Sequence, residues 1–286
     1  MTNNVKPVDD AVGSARVQTT TIKIAGIDLE LFEAGQGPPL LWLHGGQGFH
    51  RNQEFVEPFA ARRRLIVPSH PGFGKSSLPD WLDSPDDIAH VYLELLDRLD
   101  LDAVDLVGCS IGGWIAAELA SKAPARVRRL VMVGPVGVKV GPADRLDIPD
   151  MFAMSQDDLS KLLFHDPARM KPDIARMSEE ELTIMLRNRE TLALLSWEPW
   201  MHNPKLKHRL HRIAAPALFV RGDSDGLVSA DYLQGYARLL PNARTATIAA
   251  AGHAPHLEQP QAFAALALAF LDDQGAAGTA ARRKQA

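Results

Sequence analysis

Residues 104–114 read Val104-Asp105-Leu106-Val107-Gly108-Cys109-Ser110-Ile111-Gly112-Gly113-Trp114. The apolar residues up to Val107 suit a buried strand and those from Ile115 to Ala120 suit a helix, so Ser110 falls on the corner between them. Gly108 and Gly112 flank it at the G-x-S-x-G spacing. A corner this sharp strains the serine backbone and brings neighbouring chain so close that side chains at the flanking positions would obstruct it. The hydroxyl is then exposed at the end of a sheet. The N–H of Ile111 stands at a helix N-terminus, where developing negative charge is favoured. The pattern alone also fits a Gly-rich turn with a solvent-facing serine, so a nucleophile must find its partners elsewhere in the chain.

The 286 residues accommodate one α/β domain carrying an insertion. A hydrophobic content of 46% with 23% charged residues matches an ordinary globular chain. The net charge of −4, without a basic stripe interleaved with aromatics, gives no argument for a nucleic-acid partner, and none is expected. Cys109 is the only cysteine, which rules out an internal disulfide and a cysteine-rich metal site and points to a reducing compartment. Residues 1–17 are polar and acidic without the apolar core of a signal peptide, and no run approaches the ~18 apolar residues of a membrane span. A cytoplasmic protein with an unstructured start and no membrane partner is expected.

Working outward from the corner, Thr20 to Ile24 and Ile27 to Phe32 flank Ala25-Gly26 as a hairpin. Short apolar runs at Pro39 to His44, Arg64 to Pro68 and Val127 to Val133 read as strands. Ser84-Pro85-Asp86-Asp87 opens a helix, with Ser84 as N-cap, Pro85 at the first helical position and Ile88, Val91, Leu95 and Leu99 as its apolar face. Buried strands alternating with helices predict a mostly parallel sheet covered on both faces. The alternation stops over residues 135–207, where Ser155 and Ser178 look like helix starts, the second with capping-box spacing. These residues are read as a helical cap inserted into a core of residues 18–134 and 208–272. Alternation resumes with a strand at Ala217 to Arg221, a helix at Ala230 to Leu240, a strand at Ala243 to Ile248 and a helix at Gln259 to Leu271. The Ala/Gly-rich residues 273–286 are expected to be disordered.

A serine hydroxyl needs a base beside it, and the base needs a group that orients it. His253, in Ala251-Gly252-His253-Ala254-Pro255, lies between the last strand and the last helix, at the same sheet edge as Ser110. It is placed ahead of His256, which is read as starting the helix or lying at the surface. For the acid, the loop Gly222-Asp223-Ser224-Asp225-Gly226 offers two aspartates; Asp225 is placed ahead of Asp223, which reads as a turn-stabilising side chain. The order Ser, Asp, His is the one found in α/β-hydrolases.

The chain resembles the α/β-hydrolase superfamily over residues 20–272. The resemblance rests on Leu41-Trp42-Leu43-His44-Gly45-Gly46, Pro71-Gly72-Phe73-Gly74-Lys75-Ser76, Gly108-Cys109-Ser110-Ile111-Gly112-Gly113, and Gly222-Asp223-Ser224-Asp225 with Gly252-His253. It implies the α/β-hydrolase fold with an inserted cap, catalysis by Ser110, His253 and Asp225, and an oxyanion hole made by the N–H groups of Ile111 and Gly46, next to Gln47. His44 is then a structural residue bracing its loop. The chain departs from many relatives by carrying Ser69 where they have an acid. No cofactor and no metal are implied.

A serine at position 110 argues against branches resembling epoxide hydrolases or haloalkane dehalogenases, which carry aspartate there. The first expectation is hydrolysis of a small carboxylic ester or lactone. The alternative is a carbon–carbon hydrolase resembling the meta-cleavage product hydrolases, although those relatives usually place a tryptophan after the catalytic histidine, where this chain has Ala254. A non-catalytic, small-molecule-binding member of the fold is the third reading. Glu179, Glu180 and Glu181, which an iminopeptidase-like reading would need for a substrate amine, look like a solvated helix start. His208 and His211 sit among Lys205, Lys207, Arg209 and Arg212 on a basic face and are not read as metal ligands. Gln47, Trp114, Phe152, Met154, Trp197, Trp200 and Met201 are the candidate substrate contacts. The partner is a small molecule, and homodimerisation is left open.

Overall fold

The computed structural model describes residues 17–49, 53–170 and 172–273. The polar N-terminal stretch and the Ala/Gly-rich tail, expected to be unstructured, lie outside the described residues except for Val17 and Asp273. Strands β1 (Gln18–Ile24) and β2 (Ile27–Ala34) form the expected hairpin, with Ala25 and Gly26 both at positive φ in its tight turn. Then follow β3 (Pro39–Leu43), helix α1 (Gln53–Ala60), β4 (Arg64–Pro68), α2 (Pro85–Arg98), β5 (Val104–Cys109), α3 (Ile111–Lys122) and β6 (Val127–Val133). Between β6 and the next strand come α4 (Gln156–Leu163), α5 (Pro167–Met170) and α6 (Glu179–Ser196). The chain closes with β7 (Ala217–Gly222), α7 (Ala230–Ala237), β8 (Ala243–Ile248), α8 (Pro255–Glu258) and α9 (Pro260–Asp272).

Caps start the helices where the sequence places them. The Ser84, Ser155, Ser178 and Ser229 hydroxyls each accept the N–H three residues on, and Ser178 with Glu181 completes a capping box. The closing helix expected from Gln259 to Leu271 is α9, with Gln259 as its N-cap and Pro260 at its first position, and the short α8 before it is an addition. Helix α7 ends at Ala237 rather than Leu240.

Among the described residues, eight strands form one sheet in the order β1-β2-β4-β3-β5-β6-β7-β8, antiparallel at β1/β2 and β2/β4 and parallel from β4 onward. Alternate residues of the central strands feed two cores. Leu41, Leu43, Leu106, Leu130 and Met132 pack under α2, α3 and α7, while Leu40, Trp42, Val107, Val131 and Val133 pack under α1 and α9. On the second face Trp42 meets Phe55, Phe59 and Phe263 at centroid distances of 4.5, 5.4 and 6.0 Å. Such edge contacts each add about 0.5–1.5 kcal/mol beyond burial. With both faces covered, the open ground for a site is the carboxyl edge of β3, β5, β6, β7 and β8, where every connecting loop of interest emerges.

Candidate active site

The bend at Ser110 is built by close backbone approach. Ser110 has φ +52° and ψ −117°, a strained conformation for a residue with a side chain. A methyl group on Gly108 would lie 2.5 Å from the carbonyl oxygen of Gly112, and one on Gly112 would lie 2.2 Å from that of Leu43. Glycine is therefore required on both sides of the serine. The Ser110 N–H donates to the Val133 carbonyl at 2.9 Å, which pins the bend to the end of β6. Ile111, as the first residue of α3, has an N–H with no acceptor within the helix.

Three loops converge on this bend. Gly45-Gly46-Gln47-Gly48, after β3, is a turn closed by the Gly48 N–H donating to Gly45 O at 3.0 Å. A Cβ on Gly45 would stand 3.5 Å from that of Ser110, so the turn lies against the serine. The loop after β8 carries His253, whose Nδ1 is 3.0 Å from Asp225 Oδ2 in the loop after β7. Gly134, next to the carbonyl that holds the Ser110 N–H, touches this pair: a Cβ there would meet His253 Cε1 and Nδ1 at 2.9 Å and Asp225 Oδ2 at 3.3 Å. Serine and histidine thus flank the end of β6.

Asp225 is held by hydrogen bonds on both of its oxygens. Its side chain is fully buried, Oδ1 accepts the N–H groups of Leu227 and Val228 at 2.9 Å each, and Oδ2 is left for His253. Arg221 braces the loop by donating to the carbonyls of Asp225 and Val228. With Nδ1–H committed to the carboxylate, His253 Nε2 is the basic nitrogen, and it makes no hydrogen bond among the described residues. Asp223 is exposed; the Ser224 hydroxyl, assisted by backbone N–H groups, holds its carboxyl below the usual range.

The turn at Gly45–Gly48 rests on a buried chain of rings that sequence reasoning found only in part. His44 donates from Nδ1 to Gly45 O at 2.7 Å and accepts the His70 N–H on Nε2 at 3.0 Å. His70 Nε2 donates to His44 O at 2.8 Å, leaving Nδ1 to accept from the Tyr92 hydroxyl. Both rings are neutral in this pattern. Burial, with His44 adding to it, pushes the His70 pKa well below its ordinary value. Of the two places expected of it, at the helix start or at the surface, His256 takes the first, in the opening turn of α8, where it packs half-buried against Trp42, Phe55 and Phe263.

Helix α6 lies across these loops. Asn188 accepts the Gly74 N–H and donates to Gln47 O, Thr191 donates to Gly72 O, and Leu192 is so close to Gly46 that a Cβ there would meet it at 2.5 Å. A polar residue one turn before Leu192 on the inner face of a capped helix was the available signal for Asn188. The substrate candidates scatter. Gln47 is exposed and joined to Asn188 through its carbonyl. Met201 is buried and its carbonyl accepts the Gly137 N–H, four residues beyond the end of β6. Trp114 is buried against Gly137 and donates to Glu118. Phe152, Trp197 and Trp200 pack on one another at 5.7–6.1 Å between centroids, and Met154 is half-buried against the core. Trp114 and Trp197 line a cavity of about 710 Å³ with Asp86, Leu195 and His202; Ser110 and His253 are not among its lining residues.

A model of the alpha/beta hydrolase fold family matches residues 38–260. The chain is 29% identical over 265 residues to a 2-hydroxymuconate semialdehyde hydrolase of Pseudomonas sp. (strain CF600), covering 88% of this chain and 93% of that protein. It is 32% identical over 256 residues to a 2-hydroxy-6-oxononadienedioate/2-hydroxy-6-oxononatrienedioate hydrolase of Burkholderia vietnamiensis (strain G4), covering 83% and 84%. The solved structure of a meta-cleavage product hydrolase from Pseudomonas fluorescens IP01 superposes with a TM-score of 0.76 at 19% identity, over 88% of this chain and 97% of that one.

Proposed function

The chain belongs to the α/β-hydrolase fold family, in its meta-cleavage-product-hydrolase-like branch, and on that premise we propose that it is a serine hydrolase of small carboxylic esters or lactones. The observation that carries this reading is the His253–Asp225 hydrogen bond standing beside the strained Ser110 bend. His253 Nε2 takes the Ser110 proton as Oγ attacks the carbonyl carbon. The tetrahedral oxyanion is held by the N–H groups of Gly46 and Ile111, each such donor being worth about 3 kcal/mol. Collapse breaks the carbon–oxygen bond, His253 returns the proton to the leaving alcohol, and water activated by His253 releases the acid. Asp225 keeps the proton on Nδ1 and stabilises the imidazolium that forms.

Leu192 packs on Gly46 beside the bend, an apolar side chain that suits an uncharged acyl chain. The curated relatives favour a second reading, carbon–carbon cleavage beside a carbonyl by the same serine. A fluorophosphonate probe should label the intact protein and not Ser110→Ala; equal labelling of both, or of neither, sinks the serine-hydrolase reading. Turnover of p-nitrophenyl esters over a coloured vinylogous 1,5-diketone supports the ester reading, and preferential loss of the diketone's absorbance replaces it with the second.

A further inference from the structure

Glu258 ends α8, and only 5% of its surface is exposed. Its carboxylate accepts three backbone N–H groups from two parts of the chain: Gly252 on Oε2 at 2.5 Å, and His165 and Asp166 on Oε1 at 2.8 and 3.1 Å. A buried carboxylate is tolerated only when its oxygens are satisfied in this way. The segment it joins to the His253 loop is the exit of α4, and further bonds surround the junction. The His253 N–H donates to Leu163 O at 2.6 Å, and the Gly226 N–H, beside Asp225, donates to Leu162 O at 3.0 Å. The packing leaves no room at Gly252, where a Cβ would lie 2.2 Å from Leu163 O and 2.8 Å from Phe164 Cα.

From this geometry we infer that Glu258 is a positioning residue. By clamping Gly252 to residues 165–166 it fixes the backbone from which His253 reaches Asp225. The seating of the inserted helices thereby becomes a condition for the base to stand correctly. The inference deepens the serine-hydrolase reading and rests on it. Glu258→Gln keeps the size but has one accepting oxygen, so it serves Gly252 or the His165–Asp166 pair and turns an NH₂ group toward the other.

The test compares the full-length protein with Glu258→Gln, with Glu258→Asp, which keeps the charge on a stem too short to span the junction, and with Asp105→Asn. Asp105 is a buried carboxyl at the far end of β5 and controls for loss of stability alone. Three quantities are read: the melting temperature, the second-order rate of fluorophosphonate labelling, and the downfield proton resonance of the His253–Asp225 hydrogen bond. Both Glu258 variants should label roughly ten- to a hundred-fold more slowly and shift or broaden that resonance. Asp105→Asn should change neither, even where its melting temperature falls as far. If one Glu258 variant does not fold, the other carries the comparison. An unchanged resonance in a folded Glu258 variant overturns the inference, as does the same loss in Asp105→Asn. A wild-type protein that does not label, with the resonance still disturbed in Glu258→Gln, leaves the positioning intact and removes the hydrolase reading instead.

Discussion

Asp225 accepts two N–H groups on one oxygen and gives the other to His253, whereas Asp223 stands in solvent bonded to Ser224. Replacing a carboxylate that fixes a histidine's tautomer with an amide costs about 10⁴-fold in turnover. Asp225→Asn should therefore lose roughly a thousand-fold or more of kcat, while Asp223→Asn stays within about threefold, the small effect usual at an exposed site; ester-hydrolysis rates read this, and the reverse order would move the assignment to Asp223. His70 makes a separate prediction about acid stability. Its folded pKa lies well below the value of about 6.5 that it has in the unfolded chain. Between those values only the unfolded chain takes up the proton. The stabilisation is complete above about pH 6.5 and is lost as pH falls toward the folded value. Melting temperature should drop between about pH 7 and pH 5.5, and His70→Gln should flatten that dependence while starting from a lower value. At this scale the sequence made Ser110, His253 and both aspartates visible, because a bend with glycines on each side and loops after successive strands leave local signatures. It gave no sign that Tyr92 and His70 lie behind His44, since burial against a distant ring has no local mark.

At the scale of elements, α6 carries two kinds of information in different places. Its start is written locally: Ser178 and Glu181 satisfy each other's orphan groups within four residues. Its position over the Gly45–Gly48 turn is decided by Asn188, Thr191 and Leu192, whose partners are more than a hundred residues away. Asn188→Ala leaves the Gly74 N–H and the Gln47 carbonyl without their partner in a part-buried place, at about 1–3 kcal/mol. The expected outcome is a lower denaturation midpoint together with a lower kcat for esters, because the turn that carries Gly46 loses its support. If stability falls and kcat does not, the support from α6 is irrelevant to the oxyanion contacts.

Across the whole molecule, β3, β5 and β6 are buried on both faces, while the inserted helices meet the core at a limited set of hydrogen bonds and side chains. Amide exchange should divide accordingly. The central strands should exchange only through global unfolding, and the exposed outer face of α6 should exchange through cheaper local opening, which native-state hydrogen exchange resolves. Exchange of α6 as slow as β5 would refute this division. The alternation of strands and helices, the mostly parallel sheet and the corner at Ser110 followed from the sequence by itself, because periodicity, glycine placement and caps act over a few residues and fix local conformation wherever the chain lies. The tertiary structure alone decided that His70 and Tyr92 lie behind His44, that Glu258 joins the base to α4, and that Leu192 covers Gly46. Each is a contact between residues distant along the chain, and its energy depends on distance and desolvation that exist only once the sheet has brought those loops to one edge.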